Sequence, residues 1–160
     1  MKNYLARGIL ASGLLGAFVF ALAVTSAHSA GITQKRTAEI VNSGSTNFAG
    51  YRIVVHETGH VKYVPGKGRA AMGMPDKETE TDIPADLAKK FFADLQQAAP
   101  LSKLPVPHCM KSASFGTVTT VKMGGQQSPD LSCSSQDRRM NSLSDDVDAV
   151  TDALKSRHSR

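Results

Sequence analysis

Apolar and polar positions follow three different patterns along this chain, and each predicts a different kind of segment. From Gly8 to Val24 (GILASGLLGAFVFALAV) no side chain is charged. From Tyr51 to Val64 the chain is rich in β-branched and aromatic residues, and its apolar and polar side chains largely alternate, the period of a strand with one buried face. From Pro84 onward Leu87, Phe91, Phe92 and Leu95 recur at helical spacing, with Lys89, Lys90 and Asp94 turned outward. Leu143, Val147, Val150 and Leu154 repeat the helical period near the end of the chain.

The remaining segments follow from turn and breaker residues. Ile32–Asn42 is polar with apolar Ala38, Ile40 and Val41 and reads as an edge strand. Asn42–Gly50 (NSGSTNFAG) reads as a loop. Pro65–Asp82 is a long loop rich in Gly, Pro and charge. The first helix begins near Pro84, with Thr81 or Asp82 as its cap. Pro100, Pro105 and Pro107 end it and form a stiff connector. Ser114–Met123 reads as a strand, Gly124-Gly125 as a tight turn, and Gln126–Ser128 as its antiparallel return. Ser142 or Ser144 caps the last helix. Asp145, Asp146 and Asp148 then fall at its positive end, and Lys155, Arg157 and Arg160 at its negative end. The expected fold is α+β: a small antiparallel sheet of hairpins packed with two amphipathic helices.

Lys2 and Arg7 precede the uncharged run, and small residues follow it (TSAHSA), with cleavage sites after Ala27, Ser29 or Ala30. This order defines a secretory signal peptide over residues 1–30 and leaves 31–160 as a single exported domain, periplasmic or extracellular. The rival is an uncleaved anchor, although Gly8–Val24 is at the short limit of the ~20 residues a bilayer requires. The 130 residues left after cleavage carry seventeen basic and fourteen acidic side chains, a net charge of +3. That mild excess favours acidic surfaces, polysaccharides or lipid headgroups weakly and leaves no nucleic-acid footprint. The sole membrane contact expected is through the signal segment, if it is retained.

Cys109 and Cys133 are the two cysteines of the chain. In an oxidising compartment they pair as one disulfide closing a loop of about 25 residues, worth about 3.5 kcal/mol on the chain-entropy model. A reactive or metal-binding thiol is the alternative, but neither cysteine sits in a CxxC.

One string carries catalytic chemistry. His56-Glu57-Thr58-Gly59-His60 (HETGH) matches HExxH, in which two histidines one helical turn apart bind zinc and the glutamate activates the metal-bound water. The motif works only on a helix. A hairpin with the three-residue loop Glu57-Thr58-Gly59 instead places Gly59 where φ is positive. It also pairs Val55 with Val61, Val54 with Lys62 and Ile53 with Tyr63. Tyr51, Ile53, Val55, Val61 and Tyr63 then share one face, and Arg52, Val54, His56, His60, Lys62 and Val64 the other. A helix would carry Gly59 among β-branched residues at about 1 kcal/mol. The third zinc ligand would have to be Glu78, in the polar ETETD stretch. The sequence therefore favours the hairpin, with no cofactor, and keeps a zinc site of His56, His60 and Glu78 with Glu57 as base as the alternative.

Ser114-Phe115-Gly116 followed by Ser128-Pro129-Asp130-Leu131-Ser132-Cys133 resembles small exported bacterial proteins of uncharacterised function. The resemblance spans roughly the exported domain, implies no activity, and supports the Cys109–Cys133 bridge. Three function classes follow. The first is a non-enzymatic exported domain that binds an envelope or extracellular partner. The second is a zinc metallopeptidase using HETGH. The third is an inhibitor of a secreted enzyme, with Pro65–Asp82 as its contact.

Overall fold

The computed structural model describes residues 35–70 and 73–158. Residues 1–30, read from sequence as a signal peptide, and Arg160 lie outside them. Residues 33–160 form one compact unit.

Six strands make a single antiparallel sheet in the order β4-β3-β2-β1-β5-β6: β1 (Thr37–Gly44), β2 (Ala49–His56), β3 (His60–Pro65), β4 (Thr79–Asp82), β5 (Thr119–Met123) and β6 (Gln126–Gln127). Two helices, α1 (Ala85–Ala98) and α2 (Arg138–His158), pack against each other. The fold is α+β, with one hydrophobic core. Ala38, Ile40, Ile53, Val55, Val61, Tyr63 and Val121 of the strands meet Phe91, Phe92 and Leu95 of α1 and Leu143, Val147, Val150 and Leu154 of α2. In β1, β2 and β3 alternation sends Ala38, Ile40, Ile53, Val55, Val61 and Tyr63 to the helices and Glu39, Arg52 and Lys62 to the open face.

The β2–β3 hairpin has the register read from sequence: Val55 opposite Val61, Val54 opposite Lys62, Ile53 opposite Tyr63. Gly59 sits at φ +95°, the left-handed region that the loop requires. Gly124 and Gly125 both have positive φ, which suits the two-residue turn between β5 and β6.

Five segments differ from the sequence reading. β1 is an interior strand, paired with β2 on one side and β5 on the other, because its second neighbour arrives from far along the chain. The 65–82 segment ends in β4, whose Thr79–Asp82 has no apolar residue and is held by its ladder to β3. It is also tied down by buried Met74 and Pro75. Neither Thr81 nor Asp82 caps α1; Pro84 stands at that position with no side-chain cap. Ser114–Val118 is irregular, so the strand begins only at Thr119. α2 starts at Arg138, ahead of both proposed serine caps, because the Asp137 carboxylate accepts the Arg139 amide at 2.9 Å. Asp145, Asp146 and Asp148 therefore lie about two turns inside the helix, away from its positive end. Lys155, Arg157 and His158 do occupy the last turn.

Candidate functional site

Three regions can be weighed as a site: the HETGH turn with its open sheet face, a cleft beside α2, and the connector between α1 and β5.

HETGH closes the β2–β3 hairpin. His56 and His60 flank the loop with ring centroids 5.8 Å apart. Their Nδ1 atoms lie near Thr37 Oγ1 (3.3 Å) and Asp82 Oδ1 (3.1 Å). Glu57 accepts two hydrogen bonds from the Arg36 guanidinium, which holds its carboxyl below the usual range. Arg36 in turn lies 5.4 Å from the centroid of the Phe92 ring, so this pair ties the turn to α1. Glu78 Oε1 pairs with Lys62 Nζ at 2.5 Å. The structure thus brings the two histidines together and commits both carboxylates of the alternative zinc site to cations. Among the described residues no three or more His, Cys, Asp and Glu side chains are grouped to hold a metal ion.

Around the turn, the open face is a mosaic of both signs. One row crosses all six strands: Glu80, Lys62, Val54, Glu39, Lys122 and Gln127. Lys62 is bridged by Glu78 and Glu80, and Glu39 by Arg52 and Lys122. Charges that neutralise one another across neighbouring strands stabilise sheet pairing and leave no single-sign field for a ligand.

The cleft, of about 520 Å³, lies between α2 and the β1–β2 side of the core, with Tyr51, Asn141, Asp145 and Asp148 on its walls. Burial pushes the Tyr51 hydroxyl up, and burial together with Asp152 and Asp145 raises Asp148. Several of its polar groups are already used by the fold. Asn42 Nδ2 donates to Thr119 Oγ1 and Ser144 Oγ donates to the Leu131 carbonyl.

The connector is different. Cys109 is bonded to Cys133, with Cα atoms 5.8 Å apart. Two residues on, the Lys111 ammonium sits in a cage of the Asp130 carboxylate, the Thr117 carbonyl and the Ser132 hydroxyl. Burial alone would raise Asp130; Lys111 and Ser132 hold it below its ordinary value instead. Both neighbours of Met110 are thereby tied to the rest of the fold, and Met110 itself is fully exposed. Val106 (68%), Phe115 (64%) and Val118 (43%) are exposed on the same connector, and these four are the large exposed hydrophobics of the described residues. Phe115 lies 6.3 Å from Phe48 of the β1–β2 loop, and Thr46 of that loop donates to the Ala113 carbonyl. Sequence reasoning missed this cluster because it assigned Phe115 and Val118 to a strand. The visible signal was the absence of any acidic residue between Asp94 and Asp130.

Compared with known proteins, the chain matches no family model and no curated sequence.

Proposed function

We propose that residues 31–160 form an exported, non-enzymatic domain that docks onto an envelope component through the connector and the loops beside it. One observation carries the reading: the large exposed hydrophobics of the described residues all fall within Val106–Val118, on a segment pinned by a disulfide and by the Lys111–Asp130 pair. A segment that was merely loose would bury such side chains or be free to turn them inward; a pinned one holds them out at a cost that binding can recover. The uncharged Gly8–Val24 run supplies the export route, and a disulfide suits the oxidising compartment it leads to. The hairpin placement of HETGH removes the helical geometry on which the peptidase reading depends.

Cell fractionation tests the proposal. In cells producing the full chain, the protein should recover with the envelope fraction. The Met110→Ser, Phe115→Ser double variant should move to the soluble exported fraction while retaining its thermal midpoint. Unchanged fractionation of that folded variant would refute the docking reading.

A further inference from the structure

We infer that the surface this domain docks on is an anionic phospholipid bilayer; this rests on the docking reading above and specifies its partner. Three loops meet at one end of the sheet. Ala49 donates its amide to the Arg69 carbonyl at 2.8 Å, joining the 66–69 loop to the 45–48 loop. The 45–48 loop reaches the connector through Phe48–Phe115 and Thr46–Ala113. Residues 45–48, 66–69 and 105–118 contain no acidic side chain and carry Lys67, Arg69 and His108. Lys67 and Arg69 are exposed, and so is His108. Lys111 is spent internally on Asp130, so it serves to hold the connector in place.

The shape selects lipid over a protein groove. Met110 and Phe115 project from loops, where a partner protein would need a matching pocket but an acyl boundary accepts them directly. Apolar tips on loops that themselves carry cations and no acidic residue, with the nearby Asp130 paired to Lys111, match what interfacial binding requires: side chains entering the headgroup layer, and phosphates paired by lysine and arginine. The HETGH turn lies at the other end of β2, so it faces away from the bilayer in this orientation.

The chain has no tryptophan, so a single one reports cleanly. The domain from Thr33 to Arg160, which has its own core, is mixed with vesicles of phosphatidylglycerol and phosphatidylethanolamine, and with vesicles of phosphatidylcholine alone. It should sediment with the first and release at high salt. A Met110→Trp variant should shift its emission to shorter wavelength on those vesicles, and a Thr58→Trp variant should not. Lys67→Gln and Arg69→Gln should each weaken partitioning about fivefold, and Phe115→Ser about tenfold. Absence of binding to the anionic vesicles, or binding untouched by Phe115→Ser, would overturn the lipid proposal. If that happens while Met110→Ser, Phe115→Ser still leaves the envelope fraction in cells, the docking reading survives with a protein partner. If neither assay responds, both fail.

Discussion

Val55 stands directly opposite Val61, both wholly buried, and that pairing makes Glu57, Thr58 and Gly59 part of a turn. The same five letters on a helix would place the two histidines over one another along its axis. Here they close a hairpin whose inner side is core and whose outer side is solvent. Gly59 is the residue that permits it, since a Cβ there would come within 2.9 Å of the Ile83 carbonyl oxygen as well as requiring a positive φ.

Gly59→Ala should therefore destabilise the domain by about 1–3 kcal/mol, read as a lower urea midpoint. Glu57→Gln breaks the charge pair with Arg36 and should move the midpoint only slightly, because the pair is partly open to solvent and the Gln amide oxygen can still accept from the guanidinium. A zinc peptidase predicts the reverse emphasis: a folded Glu57→Gln protein that has lost hydrolysis.

Replacing both Cys109 and Cys133 with Ser should lower stability by about 3.5 kcal/mol. It should also release the connector, raising amide exchange over 109–118 while leaving β2 and β3 protected. Unchanged exchange in the connector would show that the Lys111–Asp130 pair alone holds it.

Asp146 lies between the helices, with Oδ1 2.5 Å from Lys90 Nζ and Oδ2 without a partner. Burial pushes its carboxyl up to about 6, against an unfolded value near 3.8. The folded state thus holds the proton more tightly, so this group's contribution to stability is full below the unfolded value and is lost as pH rises through about 6. Asn cannot ionise, and Lys90 keeps Asp94 at 2.8 Å. Asp146→Asn should therefore gain on the wild type between pH 4 and 7 by on the order of 1 kcal/mol. Parallel stability curves across that range would contradict the assignment.

Much of this architecture was legible from local pattern. The hairpin register follows from alternation and one glycine, and the stripe of α1 from helical spacing. Phe91, Phe92 and Leu95 are all buried. What escaped was non-local. Nothing in Thr37–Gly44 announces that β5, some eighty residues later, will cover its second edge. Thr79–Asp82 looks like loop because its stability comes from the strand beside it. Asp146 reads as a helix-end charge when the cap is assigned to Ser142 or Ser144, several residues beyond the true start at Arg138. The connector was the hardest: Cys109 and Lys111 are ordinary letters until Cys133 and Asp130 are seen beside them, and only then does the segment that carries Met110 read as held in place.

The central claim is that this domain meets its partner through Met110 and its neighbours, with the HETGH turn left out. A photo-crosslinking residue placed at position 110 or at position 58 of the full chain, irradiated in producing cells, tests it most directly. The account predicts protein or lipid adducts from Met110 and none from Thr58. Adducts from Thr58 with none from Met110 would contradict it and return attention to His56, Glu57 and His60.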